Sequence, residues 1–152
     1  TFFLYFPAAQ EACREDAAPV AAGSTTGRNG RVLLMDDEEV VRNVAGELIR
    51  TLGHLVEFAL CGEEALAKYR EAQSAGRPFD VVILDLTIRG GKGGAETLRE
   101  LLEIDPGVKA VVSSGYADNE VIATYRQRGF CSFLKKPYVL LDLSNVLNDV
   151  MT

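Results

Sequence analysis

The sequence is poor in the features that mark several large classes of protein. Its 3 cysteines, Cys13, Cys61 and Cys131, are odd in number, lie far apart and form no Cys-x-x-Cys pair, which excludes a disulfide scaffold and a thiolate zinc site. The apolar run at the N-terminus stops at Pro7, far short of the roughly 20 residues of a membrane-spanning helix. The formal net charge is -6 and the basic residues are scattered, so we expect no direct contact with nucleic acid or with a membrane.

The composition is that of an ordinary globular protein. Of the 152 residues, 47% are hydrophobic and 25% are charged, which is enough apolar material for one domain to fold without disulfides or a structural metal. Unpaired thiols fit a cytoplasmic protein best. The only histidine, His54, stands at the start of an apolar run, so we expect a structural role for it and no phosphorylatable histidine of a kinase.

Three regions differ in composition along the chain. Residues 1–8 form a short apolar run rich in aromatics, which predicts one β-strand. Residues 9–29 are rich in Ala, Gly, Ser and Thr and show no apolar period, which predicts a flexible linker. Residues 30–152 carry the regular patterns of a folded domain. Because the chain begins with Thr and not Met, we expect it to be a piece of a longer protein.

In the region 30–152, apolar runs of strand length alternate with stretches of helical period. The predicted strands cover Val32–Met35, Leu55–Ala59, Val81–Leu84, Val108–Val112 and Cys131–Leu134. The predicted helices cover Glu38–Thr51, Gly62–Ser74, Gly94–Ile104, Asp118–Arg128 and Val139–Val150. Several strands are almost entirely apolar, which indicates burial on both faces and hence an α/β fold with a doubly wound parallel sheet.

Polar residues collect where four of these strands end. Asp36 and Asp37 follow the first strand, Asp85 the third, Ser114 the fourth and Lys136 the fifth, whereas the second strand ends without a charge and suits the edge of the sheet. Each of these residues alone has a plain explanation, such as capping a helix or lying in solvent. The carboxyl ends of parallel strands meet at one edge, however, so all five side chains are expected there together.

Three carboxylates at one edge need cations. At an effective dielectric near 20, two carboxylates about 4 Å apart repel by roughly 4 kcal/mol. Lys136 can offset one charge and a divalent ion the others, and oxygen ligands with open positions favour Mg²⁺. Such a site suits phosphoryl transfer, in which Asp85 attacks phosphorus while Lys136 and the Ser114 hydroxyl contact the other phosphoryl oxygens.

Four motifs in this order resemble the receiver domain of two-component signalling proteins. They are Leu34–Glu38, Val82–Leu86, Val112–Tyr116 and Leu134–Pro137, and the resemblance extends over about residues 31–151. It implies a flavodoxin-like (βα)5 fold with strand order 2-1-3-4-5. It also implies a phosphorelay function, in which a phosphoryl group passes from a phosphohistidine to an aspartate and changes the conformation of the domain.

The resemblance implies a role for each of the acidic residues. Asp85 takes the position of the phosphoacceptor, and Asp36 and Asp37 take those of the acidic pair that holds Mg²⁺. Asp85 itself and the backbone carbonyl of Thr87 complete the implied protein ligands of the metal.

Further positions follow from the same resemblance. Ser114 takes the place of the hydroxyl that moves toward the phosphoryl group, and Lys136 that of the lysine beside a cis proline. Phe133 stands where the family has an aromatic ring that turns inward on activation, although plain core packing explains it as well. The loop 87–94 departs from the family because Arg89 replaces a common proline and four glycines predict a loose loop.

The N-terminal strand suggests the parent protein. Residues 1–8 resemble the last strand of the ATP-binding domain of sensor histidine kinases, so the chain is interpreted as the C-terminal receiver of a hybrid sensor kinase. The parent would then be a protein-histidine kinase, whereas this fragment has no ATP site of its own. The implied partners are a histidine-kinase domain in cis or trans, a histidine phosphotransfer protein and a second copy of the chain, and a membrane-anchored parent stays open.

Two other functions remain open from the residues alone. A phosphatase of the haloacid dehalogenase type also uses an aspartate at a strand end, and Asp85, Leu86 and Thr87 weakly resemble its motif, although Arg89 does not fit it. A receiver fold can also serve only for docking, without phosphorylation. The complete set of three aspartates, a serine and a lysine argues against that last function.

Overall fold

The computed structural model describes residues 29–115 and 119–152. The strand predicted over residues 1–8 and the linker predicted over residues 9–29, apart from residue 29, lie outside these ranges. In the described part of the chain, no helix is both long enough and apolar enough to cross a bilayer.

Five strands alternate with five helices along the described residues. In chain order they are β1 (Arg31–Met35), α1 (Glu39–Thr51), β2 (Leu55–Ala59), α2 (Gly62–Ser74), β3 (Val81–Asp85), α3 (Gly94–Ile104), β4 (Ala110–Ser114), α4 (Asn119–Thr124), β5 (Ser132–Lys135) and α5 (Leu140–Met151). All neighbouring strands are parallel and lie in the order β2-β1-β3-β4-β5, with β2 at an edge. The predicted α/β fold and strand order are confirmed.

Most element boundaries lie within one residue of the prediction, and two elements, β4 and α4, differ by more. Strand β4 begins at Ala110 and not at Val108, because its register with β3 pairs Val82 with Ala110 and Asp85 with Ser113. The serines predicted to follow the strand therefore belong to it. Helix α4 ends at Thr124 and not at Arg128, because residues 125–129 form turns in which the Gly129 N–H donates a bond of 3.1 Å to the Arg126 carbonyl, and Gly129 has a φ of 99°.

The sheet separates two apolar layers. Alternate strand residues face opposite sides, so Leu33 and Met35 pack with α2 and α3, whereas Val32 and Leu34 pack with α1 and α5. All four side chains are fully buried. Each contributes roughly 1.5–3 kcal/mol through burial, which fixes the register of β1 and hence the position of the residues that follow it.

Candidate active site at the carboxyl edge of the sheet

Three strands bring two carboxylates and one ammonium group together. Asp36 directly follows β1, Asp85 is the last residue of β3 and Lys136 directly follows β5. Lys136 Nζ lies 2.5 Å from Asp36 Oδ2 and 3.0 Å from Asp85 Oδ2. One lysine thus bridges two carboxylates that come from strands β1 and β3, which are neighbours in the sheet.

These charges are withdrawn from water. Asp36 is 0% exposed and Asp85 is 5% exposed. Burial raises the pKa of Asp85 above its ordinary value of 3.8, against the opposing effect of Lys136, and the charge of Asp36 raises it further. Burial alone would lower the pKa of Lys136, but its bonds to Asp36 and Asp85 outweigh this and raise it, so the ammonium form dominates at neutral pH.

Asp36 is held by hydrogen bonds, but one of its carboxylate oxygens is buried and accepts none. Its Oδ1 accepts a hydrogen bond of 2.9 Å from the Glu38 backbone N–H, and its backbone carbonyl accepts one of 2.8 Å from Arg42 Nη1. Among the described residues, Asp36 Oδ2 is a buried side-chain oxygen that no hydrogen bond reaches. The ammonium of Lys136 touches it as an ion pair without the alignment of a hydrogen bond. A buried anionic oxygen of this kind is a ready ligand for a cation.

A cluster of acidic groups follows strand β1. Carboxylate oxygens of Asp36, Asp37 and Glu38 all lie within 4.8 Å of one another. Oxygen donors in this number suit a hard divalent cation such as Mg²⁺, so the residues present fit the metal that the sequence implies. Glu38 was not among the predicted ligands, although its place directly after the acidic pair could have suggested it.

The other two expected ligands, Asp85 and Thr87, lie at the end of the neighbouring strand β3 and in the loop after it. Asp85 Oδ1 accepts a bond of 3.3 Å from the Thr87 backbone N–H, which holds the carboxylate against the start of the loop. Asp37 reaches the same loop, since its Oδ2 accepts a bond of 3.3 Å from the Arg89 N–H. The chain after Asp85 is therefore joined to the acidic pair after β1.

The glycine-rich loop between β3 and α3 makes close backbone contacts at its C-terminal end. A Cβ atom at Gly94 would lie 2.8 Å from the carbonyl oxygen of Asp85, so a side chain there would force the loop away. Further along, the Lys92 carbonyl accepts a bond of 3.1 Å from the N–H of Gly62 at the start of α2. The looseness predicted for the loop stays a prediction, since Gly90 has no neighbour within 4 Å of a Cβ position while Gly94 comes close to the end of β3.

A pair of hydroxyl groups lies behind the charged residues. Ser113 Oγ is 2.5 Å from Tyr138 Oη, and both residues are buried. Burial raises the pKa of Tyr138 to about 12, so the phenol stays protonated. The sequence analysis missed Tyr138. Its position two residues after Lys136 was the available signal, but its partner lies 25 residues away and no local pattern connects the two.

The remaining predicted residues are positioned as follows. Ser114 is buried at the end of β4, and its carbonyl accepts a bond of 2.9 Å from the Lys136 N–H. The Lys136–Pro137 peptide bond is cis, as the resemblance implies. Phe133 is partly buried against the layer under α2 and α3, and its ring centre is 6.5 Å from that of Tyr125. Its role in signalling stays a prediction.

Comparison with known proteins agrees with this geometry. The family model described as the response regulator receiver domain matches residues 32–148. The sensor kinase CckA of Brucella abortus is 30% identical over 158 residues, an alignment that covers 99% of this chain and 16% of the kinase. The chain therefore spans less than one fifth of that relative. The chemotaxis protein CheY of Thermotoga maritima is 29% identical over 121 residues, which cover 79% of this chain and 96% of CheY.

Solved structures show the same architecture. The receiver domain of NtrX from Brucella abortus superposes with a TM-score of 0.71 at 26% identity, covering 79% of this chain and 97% of that domain. A CheY-like receiver domain protein from Methanospirillum hungatei superposes with a TM-score of 0.70 at 23% identity, covering 82% of this chain and 94% of its own. The residues matched by the family model, 32–148, extend from β1 into α5 and include the site.

Proposed function

Because this chain belongs to the receiver domain family of response regulators, we propose that Asp85 accepts a phosphoryl group from a phosphohistidine and that the domain signals by the resulting change of conformation. The observation that carries this proposal is the bridge of Lys136 between Asp36 and Asp85 in a nearly water-free setting. Receiver domains interact with histidine kinases or phosphotransfer proteins, which supply such a donor.

The transfer is a single displacement at phosphorus. A carboxylate oxygen of Asp85 attacks, the bond from phosphorus to the imidazole nitrogen breaks, and that nitrogen keeps the electron pair. The product is an acyl phosphate on Asp85. Lys136 is held where it can neutralise charge on the phosphoryl oxygens, and the Ser114 hydroxyl is the expected donor to another of them.

We assign the metal to the acidic cluster. Asp36, Asp37, Asp85 and the backbone carbonyl of Thr87 would hold Mg²⁺, with Glu38 close enough to contribute through its carboxylate. When bound, the metal stabilises negative charge on the transferring group. The charge balance supports this assignment, because the buried carboxylates of Asp36 and Asp85 share one ammonium and a further cation would offset their remaining negative charge.

Mass spectrometry tests the phosphoacceptor. Incubation with Mg²⁺ and a small phosphodonor such as acetyl phosphate should add one phosphoryl group, and a chelator should prevent it. Asp85→Asn should abolish the addition. Asp80→Asn is the matched control, because it changes an aspartate at the other end of β3 and should leave the addition intact. Incorporation that survives Asp85→Asn would refute the assignment, and steady turnover of phosphomonoesters would favour the phosphatase function.

The parent protein is a second part of the proposal. The alignment with the Brucella sensor kinase covers 99% of this chain, so it includes the N-terminal residues that lie before the receiver domain. This supports a hybrid kinase in which residues 1–8 close an ATP-binding domain, residues 9–29 link and residues 30–152 form a cytoplasmic receiver. The coding sequence upstream of Thr1 should then encode an ATP-binding domain preceded by a helix with a phosphorylatable histidine. An unrelated domain there would refute this parent.

An apolar surface beside the site suits the partner that brings the phosphohistidine. Val40 of α1 is 74% exposed and Leu141 of α5 is 67% exposed, and the two helices pack against each other next to the charged residues. Val40→Lys should therefore slow transfer from a phosphohistidine domain but not from a small phosphodonor. Leu55→Lys, at an apolar residue of β2 that is 60% exposed, is the control and should slow neither. Equal slowing by both variants would contradict this docking surface.

A further inference from the structure

The hydroxyl pair of Ser113 and Tyr138 joins the two chain segments that carry the reacting groups. Ser113 pairs with Asp85 in the register of β3 and β4, and its carbonyl accepts a bond of 3.0 Å from the N–H of Leu86, directly after Asp85. Its hydroxyl bonds to Tyr138, two residues after Lys136. One residue in β4 thus holds both the end of β3 and the start of the segment between β5 and α5.

The pair lies on the same side of the sheet as the charges. Tyr138 packs in the apolar layer under α1 and α5, and Val111 of β4 belongs to the same layer. Strand alternation places Ser113, two residues after Val111, on that side. The hydroxyl pair therefore supports the segment of Lys136 from beneath, where the ammonium reaches Asp36 and Asp85.

Burial makes this contact hard to replace. Ser113 is 0% exposed and Tyr138 is 9% exposed, so water has little access to a hydroxyl that loses its partner. An unpaired buried hydroxyl costs more than the bond itself contributes, and the segment would shift to recover a partner. Such a shift of Tyr138 would also move Lys136, which lies two residues earlier in the chain. Among the contacts described above, the backbone N–H of Lys136 bonds only to the neighbouring Ser114 carbonyl.

We propose that Tyr138 is a positioning residue of the phosphoacceptor site, which acts through its hydroxyl bond to Ser113 to hold Lys136 at Asp85. This inference rests on the proposed function, since it concerns the rate at which Asp85 takes up a phosphoryl group. It predicts an effect on the chemical step rather than on the binding of the phosphodonor, because neither hydroxyl belongs to the surface that the donor approaches.

The test removes one oxygen at a time. In Tyr138→Phe and Ser113→Ala, the maximal rate of phosphorylation by acetyl phosphate should fall about three- to tenfold, the range of one neutral hydrogen bond, with the half-saturating phosphodonor concentration unchanged. The double variant should be no slower than either single one, because each removes the same bond.

Tyr69→Phe is the matched control: its buried hydroxyl donates a bond of 2.7 Å to Asp105, far from Lys136. It should lower stability without slowing phosphorylation.

The outcomes separate this inference from the function on which it rests. A wild-type chain that takes up no phosphoryl group on Asp85 refutes the proposed function and overturns the inference with it. A wild-type chain that is phosphorylated while Tyr138→Phe reacts at the same rate overturns the inference alone. Equal slowing by Tyr138→Phe and Tyr69→Phe also overturns it, since the effect would then follow from general destabilisation. Thermal unfolding should be measured for every variant to verify that all are folded at the assay temperature.

Discussion

The two edges of the sheet carry similar polar residues in very different states. At the amino edge, Asp80 accepts a bond of 2.7 Å from the Arg31 N–H, Arg31 pairs with Glu57, and His54 Nδ1 accepts the Gly30 N–H at 3.1 Å. At the carboxyl edge, a single ammonium serves two buried carboxylates, those of Asp36 and Asp85. One edge satisfies its polar groups, while the other leaves a buried excess of negative charge.

This difference distinguishes polar groups that stabilise the fold from polar groups that take part in the proposed reaction. Polar groups that serve stability alone find partners or lie in water, as at the amino edge. Buried carboxylates without enough cations cost stability, so their presence indicates a ligand that completes the site. Both edges belong to the same short strands, which allows the two states to be compared by matched substitutions.

The largest effect is expected from removing the cation at each edge. Lys136→Met leaves Asp36 and Asp85 buried without a counter-charge and should lower the free energy of unfolding by about 3 kcal/mol. Arg31→Met removes a partly exposed ion pair and the stacking of its guanidinium 4.7 Å above the Phe79 ring, which should cost about 1 kcal/mol. Urea unfolding in chelator measures both.

Magnesium sharpens this first comparison. It should restore part of the stability of Lys136→Met, because a cation in the acidic cluster replaces the missing positive charge. It should leave the stability loss of Arg31→Met unchanged. Equal losses for the two variants in chelator would show that the carboxyl edge carries no special electrostatic cost.

The next largest effects concern Asp85 and Asp80, which lie at the two ends of β3. Their substitution should change the free energy of unfolding in opposite directions. In chelator, Asp85→Asn changes the charge of the Asp36, Asp85 and Lys136 group from -1 to 0. It should therefore raise the free energy of unfolding by about 1 kcal/mol. Asp80→Asn weakens the bond that the carboxylate accepts from the Arg31 N–H and should lower the same free energy by about 1 kcal/mol. A loss of stability in Asp85→Asn would mean that its carboxylate is held for structure.

The sequence was a good guide to the fold because the strands are buried on both faces. Almost every residue of β1 and β3 is apolar, and this alternation with helical patterns leaves few alternatives to a parallel sheet. It failed at β4, where apolar residues start at Val108 and serines end the strand. The prediction therefore began two residues too early and ended two residues too early, because register with β3 and not hydropathy decides where β4 begins.

The charged part of the site was predictable and its support was not. Asp36, Asp85 and Lys136 each stand directly at a strand end, so topology alone brings them together. The bond between Ser113 and Tyr138 depends on how an aromatic ring packs across the sheet, and no spacing in the sequence encodes it. The close approach of Gly94 to Asp85 likewise depends on the tertiary structure. In the sequence, a glycine at this position indicates only a flexible chain.

The smallest effect belongs to His54 at the amino edge. Burial lowers the pKa of His54 from its ordinary value of 6.5, while Asp80 opposes the shift. The unfolded chain therefore binds a proton at a higher pH than the folded one, so stability should fall as the pH drops through 6.5 towards the folded pKa and should recover as it rises.

His54→Asn keeps an acceptor for the Gly30 N–H but cannot titrate there. Because His54 is the only histidine, the difference between wild-type and variant unfolding free energies against pH isolates this group. A difference that does not change with pH would mean that the pKa of His54 is the same in the folded and unfolded chains, and His54 Nδ1 would then not be held as the acceptor of the Gly30 N–H.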